Sequence, residues 1–253
     1  MTPRPALAAL ALVAAGCLPA AAQVTVKSDG QWRHLIGAGA SFASGNSDAK
    51  SLNLSYDGVR ATASEKWSLT GRALYARDGD ETTGQRVSTG IQYNSDITPD
   101  VFSFASADVL HDRPANLQLR ASVGDGLGYH VRRDERGFFD VSGGLGYTYD
   151  DYDDSAEVDG AQRTHYGRFE LLLGEESTHQ LTDTTALKQK LRVRANLRNI
   201  GGVRSDFETG LTVAVNHAVN LTVGFTHRYD SDPGSDVERT DTLFTTGLSV
   251  RID

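Results

Sequence analysis

Five basic residues, Lys188, Lys190, Arg192, Arg194 and Arg198, recur at even spacing in one short stretch of the chain. On a strand, where side chains alternate, that spacing puts them on one face. Cations of one sign focused in a narrow, low-dielectric passage concentrate anions, which is the chemistry of an anion-favouring pore. The same cations could instead pair across strands with Glu170, Glu176 and Glu208 and fill the passage with salt bridges. Two acidic runs offer a second chemistry. One holds Asp150, Asp151, Asp153, Asp154, Glu157 and Asp159, the other Asp230, Asp232, Asp236, Glu238 and Asp241. Oxygen-rich loops can collect divalent cations. Neither run has the spacing of a defined calcium loop, and Asp230-Ser231-Asp232-Pro233-Gly234 reads as a turn whose carboxylates accept hydrogen bonds from its own backbone.

Hydrolytic chemistry has thin support. His111-Asp112 and His165 are expected at a solvated rim, and His227 alternates with Phe225 and Tyr229 on an apolar face. No serine stands in a recognisable nucleophile setting, so no catalytic residue is assigned and no enzyme is expected. No cofactor is expected either. The net charge of −8 disfavours a nucleic-acid partner.

The elements that must position these residues begin after an export signal. Arg4 precedes an apolar run from Ala6 to Ala15, and Ala20-Ala21-Ala22-Gln23 supplies a small-residue cleavage site. The run is too short for a spanning helix, which needs roughly 20 residues. Residues 1–22 are therefore expected to be a signal peptide and 23–253 one barrel domain. Cleavage would remove Cys17, the single cysteine, leaving no disulfide or thiolate metal site. The alternative is that Ala14-Ala15-Gly16-Cys17 is a lipoprotein site and Cys17 is lipidated.

Beyond Gln23 no linker or low-complexity tract divides the chain. Segments of alternating apolar and polar residues recur, each closed by a turn-forming cluster. Leu117, Leu119, Ala121, Val123, Leu127, Tyr129 and Val131 oppose Gln118, Arg120, Ser122, Gly124, Gly126, Gly128 and His130. Phe139, Val141, Leu145, Tyr147 and Tyr149 then oppose Asp140, Ser142, Gly144, Gly146, Thr148 and Asp150. About twelve strands are predicted, starting near Arg33, Ser51, Lys66, Gln85, Val101, Leu117, Phe138, His165, Ala186, Phe207, Val219 and Thr242. The weakest is the fifth, where Phe102 and Phe104 point one way while Ala105, Ala107 and Val109 point the other.

Alternation alone does not say which face is wet. A soluble barrel with its apolar face inward closes with about eight strands around one small cavity, whereas twelve would enclose a void that apolar side chains do not fill. Gly mixed with Lys, Arg and Glu on the polar face suits a wet lumen. Trp32, Trp67, Tyr75, Tyr93, Phe139, Tyr147, Tyr149 and Tyr229 gather toward segment ends, where two interfacial girdles would lie. The prediction is an all-β fold, a transmembrane antiparallel up-and-down β-barrel in the outer membrane of a Gram-negative bacterium, in contact with outer-membrane lipid. The terminal strand, with Thr245, Gly247, Val250 and Ile252, reads as the signal by which assembly machinery recognises such barrels, although Ile252 and Asp253 stand where an aromatic usually closes the chain. Loop lengths place the N-terminus in the periplasm, with Asp150 to Thr164 and Asp230 to Asp241 as the longest outward connections. The expected periplasmic turns lie near Thr62–Glu65, Ser95–Asp100, Arg132–Arg136, Ser177–Thr185 and Asn216–Ala218, and Gly45-Asn46-Ser47-Asp48 is a tight outward hairpin.

Several stretches together resemble a family, the salt-induced outer-membrane proteins (YdiY-like). They are Gly45-Asn46-Ser47-Asp48; His111-Asp112-Arg113 followed by Leu119-Arg120 and Gly124 to Tyr129; Gly144-x-Gly146-Tyr147 with Asp151-Tyr152; and Tyr229 to Pro233 leading to Thr240-Asp241-Thr242-Leu243. The resemblance implies an outer-membrane barrel without an established activity, cofactor or substrate. Two functions stay open: a passive channel for small, anionic solutes, and a structural or stress-related envelope barrel with a plugged lumen.

Overall fold

The computed structural model describes residues 28–42, 49–78, 81–199, 202–233 and 238–252. The expected signal peptide with Cys17, the Gly45-to-Asp48 turn and Asp236 lie outside them. Twelve strands follow one another: β1 Trp32–Phe42, β2 Ala49–Ala61, β3 Glu65–Asp78, β4 Glu81–Asp96, β5 Val101–Asp112, β6 Leu117–Asp134, β7 Gly137–Val158, β8 Ala161–Gln180, β9 Thr185–Asn196, β10 Val203–Ala214, β11 Val219–Asp230 and β12 Thr240–Ile252. Each pairs antiparallel with its sequence neighbour, and β1 pairs with β12, so the sheet closes into a barrel. Closure gives every strand two partners, so no ladder edge is left to face hydrocarbon. The seam is the shortest pairing, from His34↔Ile252 to Ala38↔Leu248, whereas β1 and β2 pair from Trp32↔Arg60 to Phe42↔Lys50.

The apolar face points outward. Ile36, Leu52, Val123, Leu145, Phe169 and Leu221 stand exposed on the outer wall, and Phe244 is 73% exposed. In water such a surface would be a severe liability; against lipid it is the favourable one, and this makes the barrel a transmembrane one. The aromatics form two belts. Trp67 and Tyr93 pack at 4.5 Å near the end where the chain enters and leaves, the terminal end. Tyr147 and Phe169 pack edge to face near the opposite end, the far end.

The structure changes two details of the sequence reading. The stretch from Asp150 to Thr164 is not a loop. β7 continues to Val158 and β8 resumes at Ala161, so the connection is a two-residue turn, Asp159-Gly160, with φ of 53° and 69°. The acidic composition mimics a turn, but the backbone keeps its partners, with one irregularity between Asp151 and Ala156. Likewise β8 runs to Gln180, so the turn expected from Ser177 spans only 181–184. The fifth strand does form: Phe102 and Phe104 fill the interior because β6 offers glycines beneath them. An added Cβ on Gly128 would collide with the Phe102 ring, and one on Gly126 would lie 2.8 Å from Phe104 Cε1.

The long β7–β8 hairpin bends over the far mouth. Tyr152, Ala156, Val158 and Tyr166 form a small buried cluster with Leu117, against which Leu110 and Ala115 pack. Its tip reaches further: Asp159 N donates to Asp232 Oδ2 at 2.8 Å, and Asn199 Nδ2 donates to Asp159 Oδ1 at 3.1 Å. These are contacts to the β11–β12 and β9–β10 connections. Asn116, at φ 54°, clamps the other side, its Nδ2 donating to Asp154 O and its Oδ1 accepting from Asp154 N, both at 2.9 Å.

Candidate functional site: the charged lumen

Alternation delivers the polar side chains of all strands into one interior, where they sort into three layers. Nearest the far end is a buried hub. Asp150 and Thr148 are fully buried, and Glu170 is 1% exposed. Arg120 grips Asp150 through two bonds, Nε to Oδ1 at 2.6 Å and Nη2 to Oδ2 at 2.8 Å; the two residues are direct register partners. Arg168 Nη1 donates to the same carboxylate at 2.8 Å, and Tyr152 Oη at 3.2 Å. Glu170 accepts from Arg168 Nε at 2.8 Å, Arg204 Nη2 at 2.5 Å and Thr148 Oγ1 at 2.7 Å. Buried charges of this kind persist only when each is hydrogen-bonded and paired. Asp150 therefore belongs to the interior of the barrel, not to an outer acidic loop.

The middle layer contains the basic stripe. Arg192 Nη1 and Arg194 Nη2 each lie 3.2 Å from an oxygen of Asp108. Asp108 is on β5, four strands from β9 around the wall, so this contact crosses the lumen. Arg192 also approaches Glu208 at 3.8 Å and Arg194 approaches Asp206 at 3.9 Å. Lys188 reaches Asp57 on β2 at 3.7 Å. Glu176 is bound by Lys66 from β3 at 3.6 Å, although it stands in register with Lys190. The contrast with the hub is sharpest at Asp108 and Lys188, whose side chains are 29% and 45% exposed, while Arg194 and Glu176 are more buried. Arg198 lies past the end of β9, exposed at the rim, and does not join the stripe.

At the terminal end His130 sits between two carboxylates, Nδ1 2.7 Å from Asp140 and Nε2 3.2 Å from Asp96, and stacks on Phe102 at 4.7 Å. Between this layer and the stripe lies a chamber of about 80 Å³, room for roughly five waters. Lys190, Arg192 and Arg194 on β9 line one side with Leu172 of β8 next to Arg194, and Phe102 and Phe104 of β5 line another.

The remaining candidates are scattered. Asp153 and Asp154 are exposed on the hairpin and Asp151 is half-buried. Asp230 Oδ1 accepts from Asp232 N at 3.0 Å, the turn geometry its sequence suggests. His111 Nδ1 contacts Gln118 O, His165 stacks on Tyr149 and His227 on Phe225, three separate places. Among the described residues no cluster of three His, Cys, Asp or Glu side chains is arranged to hold a metal. Thr245, Gly247, Val250 and Ile252 all lie in β12, with Val250 and Ile252 exposed outward. The sequence reading missed the Arg120–Asp150–Arg168–Glu170–Arg204 hub; the signal was the even spacing that puts each of these residues on the polar face of its strand.

Solved barrels have a similar chain path. The NanC porin is 8% identical, covers 87% of this chain and 97% of its own, and gives a TM-score of 0.45. The translocator domain of the autotransporter NalP from Neisseria meningitidis is 12% identical, with 88% and 87% covered and a TM-score of 0.43. The KdgM porin, solved in complex with disordered oligogalacturonate, is 8% identical, with 88% and 100% covered and a TM-score of 0.41. The comparison with curated proteins gives no match. Residues 36–252 match a sequence family over most of the chain, and the protein belongs to that family, described as "Protein of unknown function, DUF481".

Proposed function

We propose that this barrel is a narrow passive channel of the Gram-negative outer membrane for small anionic solutes. The reading rests above all on the wet middle layer, where charges cross the lumen at more than 3 Å and remain partly exposed. A dry plug would have buried and matched them, as the hub does. Four cations are spaced along β9, flanked in register by Glu176 on β8 and by Asp206 and Glu208 on β10 and met across the lumen by Asp57 and Asp108, so an entering anion competes with these carboxylates for a row of cations. Export through residues 1–22, a periplasmic N-terminus, recognition of the β12 residues by assembly machinery, and kinship with the salt-induced outer-membrane proteins complete the proposal. The exposed Asp153 and Asp154 would meet divalent cations at the outer surface.

The second reading is a structural barrel, favoured by the fully buried hub beneath the hairpin. Planar-bilayer recordings of the refolded protein separate the two. Small steps with a reversal potential on the anion side, moved toward cations in R192Q/R194Q, are expected. Silence from protein that is folded and inserted would assign the structural role.

A further inference from the structure

We propose that the mid-lumen chamber is a recognition site for a small carboxylate carrying an apolar, preferably aromatic, body, and that Asp108 occupies it as a tethered competitor. The inference deepens the channel reading by naming the solute class. Asp108 is itself a carboxylate, reaching across the lumen to place one oxygen on Arg192 and the other on Arg194. Its two contacts, at 3.2 Å, are looser than the roughly 2.7–2.9 Å of a good charge-assisted bond, and the side chain is partly solvated. The guanidinium pair thus shows the geometry of carboxylate binding while holding its occupant weakly. Gly90 makes the arrangement possible, since a Cβ there would lie 2.7 Å from Asp108 Oδ1.

The rest of the chamber supplies what Asp108 lacks. Lys190 has Glu176 and Glu208 in register on either side and shares them with Lys66 and Arg192, so its ammonium adds a third cation to the chamber beside the two guanidiniums. Phe102 and Phe104 face it from β5, and Leu172, beside Arg194 on β8, adds a third apolar side chain to the chamber. A pocket with one apolar wall and a few convergent charged groups is the usual form of a small-molecule site. A ligand carboxylate would displace Asp108, and the withdrawal of that side chain would enlarge the space for the apolar body and break the cross-lumen contact.

The test uses the full refolded barrel in nanodiscs, with benzoate as the probe and saturation-transfer NMR as the readout. D108N frees the guanidinium pair and should tighten benzoate about tenfold, as expected when a site goes from mostly occupied to open. K190Q should weaken it about fivefold, and F104A should weaken benzoate while leaving acetate unchanged. Heat-dependent gel mobility confirms folding; if D108N does not fold, K190Q and F104A in the otherwise native barrel carry the test. Absence of benzoate transfer in the native protein and D108N alike would overturn the proposal. So would benzoate binding unmoved by K190Q, or benzyl alcohol binding as well as benzoate. Because binding is read without current, a silent bilayer would remove the channel reading and leave this result standing.

Discussion

At the scale of single residues, the hub and the stripe use the same chemistry to opposite ends. Asp150 accepts from two arginines and a tyrosine and is fully buried, whereas Asp108 is partly exposed with its arginines. Replacing Asp150 with Asn leaves Arg120 without its carboxylate partner and Arg168 with Glu170 alone, which costs about 3 to 5 kcal/mol. Urea unfolding of the refolded barrel should show that loss, while Asp153→Asn, exposed on the same hairpin, should stay within about 0.5 kcal/mol. Equal effects would mean that the hub is not what fixes this region. Asp150 also marks where sequence reasoning gave two answers, the last residue of a polar strand face and the first of an acidic loop. A run of aspartates has the composition of a turn, and the partner that makes this one an interior group, Arg120, lies thirty positions away and becomes visible only once the register is known.

At the scale of elements, the sequence carried almost all of the architecture. Every strand start was legible to within a few residues because a period of two in an apolar face is enforced by lipid along the whole chain. The lumen was less legible, since interior side chains obey no such rule and only need to fill space or pair. Phe102 and Phe104 looked like a flaw in β5 for that reason; the glycines that seat them are on β6. The β7–β8 hairpin is the other element whose role needs coordinates. Its inner face is a small apolar cluster and its tip is tied to two distant connections, so it covers part of the far mouth. Exchanging residues 153–163 for Asn-Gly, a natural two-residue turn, should leave the barrel folded and raise conductance roughly twofold by unroofing the passage. An unchanged current would place the constriction wholly below, in the ion-pair layers.

At the scale of the whole molecule, the barrel is as strong as its seam. The start of β1 is held by Asp29, whose carboxylate accepts from Arg33 and from Gln31 N; the Arg33 hydrogen bond, above all, keeps it ionised well below the ordinary carboxylate range. A group depressed in the folded state contributes stability that is complete above its unfolded value, near 4, and is lost as pH falls through the folded one. Amides between His34 and Ala38 should therefore lose hydrogen-exchange protection ahead of the other strands as pH drops toward 2, and D29N should show part of that loss at neutral pH. Uniform loss around the barrel would contradict this. Where β1 and β12 part, two unpaired edges remain, each complementary to the other by construction. In a crowded membrane the missing partner can come from a second copy, so the five-residue seam that completes the single barrel is also the place where two chains can exchange strands and assemble into a linked pair.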